Sequence, residues 1–353
     1  TLAFVGSFLT VAAWTLFITA IVAVVVGGGI AAWIIVRKNQ IKSLRQQDGH
    51  YPLQRVKLHN GDVAIIDPNA MVGPVIVLNR KDGSAYEHEP AAGWQVLAQL
   101  RRPPRAALPA GVRVVQADAL DLGALRAAAP RLDLIVHALN PDYTRWDRLL
   151  PPLTAAVLDL ARHSGATLML PGNVYNFGNA LPARLDEDTP FAGTHDKARQ
   201  RIALEAARAD AARGGVRSIV IRAGDFLGDQ GSWLDLGFAR ALAKGRVTHM
   251  GPDDVEHAWA YLPDLAEVAV RVAARRAELP PHAVLHYAGL TLTGAQLHGL
   301  IEAALGRPLE RVAFPWWMMR LAAPFAALPR ALLEMRYLWQ RPHRLDETRL
   351  QAL

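Results

Sequence analysis

Two runs in this sequence, LDLIVHAL at 132–139 and RSIVIRAG at 217–224, are apolar along their length instead of alternating. A strand apolar on both faces has to be covered on both faces. A parallel sheet between two helix layers provides that, and a half-solvated antiparallel sheet does not. Similar short runs alternate with Ala/Leu/Arg-rich helical stretches from residue 93 onward, with strands expected at 94–100, 112–116, 132–138, 166–170, 217–222 and 284–287. Helices are expected at 149–163, 197–213 and 262–276. The implied fold class is α/β, a doubly wound parallel sheet whose ligands bind at the carboxyl ends of the strands.

The residues before 93 are of different material. Positions 1–36 carry no charged side chain, and 9–36 is apolar on every helical face, longer than the roughly 20 residues needed to cross a bilayer. A transmembrane helix is therefore expected over 1–37, with the lipid bilayer as its partner through residues 9–36. Arg37, Lys38, Lys42 and Arg45 follow it and point to a membrane-anchored protein with its C-terminal domain in the cytoplasm. The string Gly27-Gly28-Gly29-Ile30-Ala31-Ala32 has the form of a phosphate-loop fingerprint, but it lies some 65 residues before the next strand. It reads as small residues packed within a membrane helix. Residues 38–92 read as a small β module, strand–turn–strand around Asn60-Gly61, followed by a further strand near 75–78. His59, Glu87, His88 and Glu89 there are scattered polar residues without metal-ligand spacing.

Composition narrows the chemistry. With no cysteine, thiolate metal sites, disulfides and thiol nucleophiles are excluded. The net charge of +7 is spread along the chain, and no basic helix is interleaved with aromatics, so a nucleic-acid partner is not expected. An anionic small molecule suits the diffuse excess better.

The strand ends carry a resemblance. QLRRPP after 94–100, DALD at 118–121, IVHALNP, LPGNVYNFG, IRAGDFLG, WAYLPDLAEVAV and the tail EMRYLWQRPHRLD occur in order and spacing similar to the extended short-chain dehydrogenase/reductase superfamily, in its NAD(P)-dependent epimerase/dehydratase branch. It covers residues 93–353, which would form a Rossmann-like NAD(P)-binding domain with a C-terminal substrate or lid region over 226–353. The resemblance implies cofactor contacts from Asp118, from His137, Ala138 and Leu139 at a strand end, and from Arg201. Arg101 and Arg102 stand where an acidic residue would read the NAD ribose, so NADP is preferred over NAD. His137 also fits a core histidine bonded to backbone.

Three departures limit what the resemblance implies. No strand, glycine-rich turn and helix precede 94–100, so the first βα phosphate loop is missing. Pro171 stands at the Ser/Thr position of the acid–base set, and Lys197 and Arg201 fall at its Tyr and Lys positions. Tyr175, Asn173 and Lys197 are then the nearest candidate catalytic groups, with His195 just before the helix. The chain also starts at Thr1 and closes in mid-helix pattern at 351–353, as a truncated or joined reading frame would. Trp146, Phe226, Trp259 and Tyr261 are the expected substrate-side residues. The segment 315–335 reads as a buried lid helix pair, its basic face being thin for a membrane-surface helix. Together these features imply an NAD(P)-dependent oxidoreductase or epimerase acting on a small carbonyl, hydroxyl or sugar-like substrate. The alternatives are a non-catalytic cofactor sensor or scaffold, and an inactive fused chain.

Overall fold

The computed structural model describes residues 54–57, 63–66, 76–80, 94–102, 112–228, 232 and 237–353. The span expected over 9–36, the glycine string at 27–32 and the polar residues 59 and 87–89 lie outside the described residues. Among the described residues no helix is long and apolar enough to cross a membrane.

In chain order the elements are β1 (Gln54–Lys57), β2 (Val63–Ile66), β3 (Ile76–Arg80), β4 (Trp94–Leu100), β5 (Val112–Gln116), α1 (Leu122–Ala128), β6 (Leu134–Val136), α2 (Trp146–Ser164), β7 (Thr167–Gly172), β8 (Arg184–Leu185), α3 (Asp196–Arg213) and β9 (Ser218–Ala223). There follow β10 (Asp225–Leu227), β11 (Arg246–His249), β12 (Glu256–Tyr261), α4 (Leu262–Ala274), β13 (His282–Tyr287), β14 (Leu290–Thr293), α5 (Gly294–Leu305), β15 (Glu310–Ala313), α6 (Trp316–Ala322), α7 (Ala327–Met335), β16 (Arg344–Leu345) and α8 (Thr348–Gln351).

Seven strands form one sheet in the order β13-β9-β7-β6-β3-β4-β5. Successive residues of one strand serve opposite faces, as a pleat requires. Leu97, Ile135 and Leu168 pack with Val157, Leu160 and Ala161 of α2. Their neighbours Val96, Leu134 and Met169 pack on the other side with Leu265, Val272 and Ala273 of α4. Both faces are covered, which accounts for the continuously apolar runs.

All pairings in this sheet are parallel except those of β3, which is antiparallel to β4 and to β6. The order matches the doubly wound plan with β3 in the place of its first strand. One strand of the expected β module thus lies within the main sheet, running opposite to the first strand of that plan. The first strand of that plan ends at the ligand edge and turns there into the phosphate loop. β3 instead begins at that edge, with Ile76 paired to Ala98 near the end of β4.

The C-terminal half adds three smaller sheets, β10-β12-β14, β11-β15 and β8-β16. These hold the turn at 336–339 and helix α7 against the carboxyl ends of β7 and β9, with Tyr337, Leu338 and Met335 packed on Leu170, Val174 and Val220.

Candidate active site

The site starts at the end of β7. Asn173 accepts a hydrogen bond at Oδ1 from the backbone N–H of Tyr175 (3.2 Å), a side-chain-closed turn that feeds the short helix Tyr175–Phe177. At Gly178 φ is +70°, and a Cβ there would come within 2.5 Å of Gly193 Cα. Only glycine allows the two backbones to approach this closely, and this closure brings residues 193–195 beside Tyr175.

Tyr175 stacks on Trp146 with centroids 6.4 Å apart, and Tyr143 meets Trp146 edge-on at 5.0 Å. The Trp146 indole N–H donates to the Pro141 carbonyl (3.1 Å), so this side chain forms the back wall. Lys197 lies in the same aromatic box. Its Nζ donates to the Tyr143 carbonyl (2.6 Å) and sits 4.7 Å from the Tyr143 ring centroid. Burial lowers the Lys197 pKa, and Glu334 is the main charge opposing that shift. The Arg201 guanidinium covers the Trp146 ring at 4.4 Å.

Helix α7 and the turn after it complete the arrangement with Glu334 and Tyr337, two residues that the sequence reading passed over within the string EMRYLW. Glu334 Oε1 accepts from the Lys197 backbone N–H (2.8 Å) and lies 3.0 Å from His195 Nδ1. Nδ1 also receives the Ala198 backbone N–H (3.3 Å), which caps α3, and Nε2 lies 3.3 Å from the Tyr337 hydroxyl. Burial works against the Glu334 carboxylate, yet its hydrogen bonds from His195 and Lys197 hold its pKa below the usual value. Burial, reinforced by the neighbouring Tyr175, pushes the Tyr143 and Tyr337 phenols well up, so both remain protonated at neutral pH.

A second buried pair lies behind. His257 places Nε2 3.1 Å from Asp225 Oδ2 and Nδ1 3.0 Å from the Leu338 carbonyl. Both ring nitrogens thus face oxygen atoms within hydrogen-bond distance. His343 packs on the His257 ring at 4.6 Å, and burial, then His257, lowers its pKa to about 3.

The remaining predicted residues divide between the ligand edge and the core. Arg101 and Arg102 are exposed just past β4. Asp118 is exposed, its Oδ1 accepting from the Leu120 N–H (3.0 Å); the helix that follows is capped by Asp121. Past β6, Ala138 is exposed and Leu139 half-buried. His137 is buried, its Nδ1 bonded to Arg208 and its Nε2 unpartnered. It lines a cavity of about 40 Å³ with Gln99, Ala119 and Leu139 among others, large enough for a water molecule. Burial, then the Arg208 charge, holds the His137 pKa well down. Phe226 and Tyr261 are half-buried, while Trp259 is 2% exposed and packs on Phe238 and His257 inside the core. The structure therefore brings Tyr143, Trp146, Tyr175, His195, Lys197, Glu334 and Tyr337 together, and leaves Trp259 behind them. Among the acidic residues 186–188, the Glu187 side chain is buried and accepts from the His286 N–H (2.9 Å).

For a dinucleotide, the adenosine end is matched by residues of the right chemistry: the exposed Arg101 and Arg102, the strand-end backbone at 138–139 and His137, whose Nε2 has no partner among the described residues. The diphosphate end is not matched among the described residues, since β3 offers no strand end there and no glycine-rich turn follows it.

No family model matches the sequence, and no curated protein sequence matches it. Solved structures do. A candidate epimerase from Burkholderia cenocepacia superposes with a TM-score of 0.56 at 20% identity, over 74% of this chain and 84% of that one. UDP-glucose 4-epimerase of Thermotoga maritima gives 0.55 at 14% identity, over 69% and 79%. A dTDP-glucose 4,6-dehydratase from Streptomyces venezuelae, solved with NAD bound, gives 0.51 at 18% identity, over 69% and 73%. With the strand order, these likenesses show that the chain has the Rossmann-like fold of these epimerases and dehydratases.

Proposed function

We propose that this domain is an NAD(P)-dependent oxidoreductase or epimerase acting on a small carbonyl, hydroxyl or sugar-like substrate. The observation that carries the reading is the Glu334–His195–Tyr337 chain beside Lys197 and Tyr175, at the carboxyl edge where such folds bind their ligands. NADP is the preferred cofactor on this reading, because Arg101 and Arg102 supply cations and no carboxylate where the ribose would lie. The domain is proposed to face the cytoplasm, anchored through residues 9–36.

A bound nicotinamide would supply hydride exchange; the protein's part is to handle the proton. Glu334 and the Ala198 N–H hold the His195 ring with Nε2 toward the Tyr337 hydroxyl, the arrangement of an oriented base and its hydroxyl. When a substrate hydroxyl gives up its proton, that proton would pass to the Tyr337 oxygen as the Tyr337 proton moves to His195 Nε2, with the Glu334 carboxylate 3.0 Å from Nδ1. Lys197 fastens the Tyr143 carbonyl and keeps a positive charge at the aromatic box. This chain stands in for the hydroxyl that Pro171 cannot provide.

Turnover by the full chain with a panel of small carbonyls and nucleotide sugars, of the kind named for the structural neighbours, tests the assignment. Glu334→Gln and Tyr337→Phe are expected to reduce kcat by about 10²-fold or more, and Lys197→Ala and Tyr175→Phe to reduce it as well. Wild-type rates in all four variants would refute these roles. One observation favours the sensor reading: Lys197 Nζ is engaged by a backbone carbonyl and not by a phenol. Cofactor binding without turnover on any substrate would select it.

A further inference from the structure

The segment expected to be a buried lid behaves otherwise. Its inner face is fixed: the Trp316 indole donates to the Met250 carbonyl (2.8 Å), and Met335 is fully buried. Its outer face is apolar as well. Trp317 (64%), Met318 (47%) and Leu321 (67%) on α6, Phe325 (89%) in the connection and Leu328 (53%) on α7 are all exposed. Five large apolar side chains on one helical hairpin exceed the scatter of single exposed hydrophobics on an ordinary surface.

The charges within the segment have one sign. From Arg311 to Leu333 the sequence holds three arginines and no Asp or Glu. Arg320 and Arg330 are exposed and form no ion pair among the described residues, while Arg311 is paired to Asp253. Arg330 Nε donates only to the Ala323 carbonyl (3.4 Å), and exposed Trp, Phe and Leu on a segment whose exposed arginines have no carboxylate partner among the described residues is the chemistry of a helix that lies in a lipid headgroup layer. A second copy suits the face less well, because a two-fold contact would set the same cations against each other.

We propose that the α6–α7 hairpin docks on an anionic bilayer surface, with Trp317, Leu321 and Phe325 inserted at headgroup depth and Arg320 and Arg330 facing the lipid phosphates. Helix α7 carries Glu334, and the next turn carries Tyr337, so docking would act directly on the elements that build the candidate site. The assignment stands on exposure and charge and does not depend on the catalytic reading.

Because the chain has no cysteine, single-cysteine labels report cleanly. Full chain carrying Phe325→Cys or Leu321→Cys, labelled with an environment-sensitive fluorophore, is reconstituted into vesicles of phosphatidylcholine with phosphatidylglycerol. The expected result is a blue-shifted emission quenched by doxyl-labelled lipid, with the label at Leu305→Cys, exposed on α5, remaining water-like and unquenched. The quenching should fall in phosphatidylcholine alone and on adding Arg320→Gln with Arg330→Gln. Water-like emission at both hairpin positions would overturn the proposal. So would a blue shift that doxyl lipid cannot quench, which would mean that a second copy or another part of the chain covers the face. Quenching that is equal in neutral vesicles would overturn the anionic assignment.

Discussion

His286 illustrates how one side chain can report on the packing around it. It lies at the far end of the sheet, its Nδ1 bonding the Leu185 carbonyl (3.2 Å) and its Nε2 accepting from Arg222 (3.3 Å). Burial, then the Arg222 charge, lowers its pKa to about 4. An unfolded histidine titrates near 6.5, so between pH 6.5 and 4 only the unfolded chain takes up this proton. The stabilisation is complete above 6.5 and is lost as pH falls toward 4, on the order of 3 kcal/mol. His343 acts in the same direction. Urea midpoints measured from pH 7 to 4 should therefore fall, and His286→Gln should flatten the slope; an unchanged slope would mean that His286 is not held neutral. The sequence alone showed a histidine in a late strand, and nothing in it revealed that Arg222 would face the ring. The same limit applied to Glu334 and Tyr337. Their roles depend on a contact about 140 residues away in the chain, which local pattern cannot register.

At the scale of elements, α3 is tied to the sheet by a buried pair. Glu205 accepts from Arg222 Nη2 (2.8 Å) and Nε (3.2 Å) on β9, and from Asn176 Nδ2 (2.8 Å). The side chains of Glu205 and Arg222 are about 95% buried, so removing one partner leaves an uncompensated charge. Glu205→Gln is expected to destabilise the domain by about 3–5 kcal/mol, readable as a lower denaturation midpoint; a change below about 1 kcal/mol would show that the pair is not desolvated as described. Elements were the most legible level in the sequence. Apolar runs at 94–100 and 112–116 coincide with β4 and β5, and the helices at 149–163 and 197–213 fall within α2 and α3. Two features escaped. Continuous apolarity marks a buried strand but carries no direction, so the antiparallel course of β3 could not be read. Apolar content in 315–335 was equally compatible with burial and exposure, and only the fold shows that both faces of the hairpin are apolar.

Over the whole molecule, the strand order, the doubly covered sheet and the cluster at its carboxyl edge agree with a dinucleotide-dependent domain. The central strand position argues the other way, because it does not end where a phosphate loop would begin. The motifs that suggested the fold survived because they sit at strand ends, where the backbone passes the ligand regardless of which side chains do the chemistry. The proposed acid–base groups lie elsewhere in the chain, since the usual positions hold Pro171, Lys197 and Arg201. The account therefore rests on cofactor binding held at the adenosine end by Arg101 and Arg102, without a glycine-rich loop at the diphosphate. The most direct measurement is a fluorescence titration of the detergent-solubilised full chain with NADPH and with NADH. The account predicts saturable binding, tighter for NADPH, with that preference lost in Arg101→Ala, Arg102→Ala. No saturable binding of either cofactor up to millimolar concentration would contradict it.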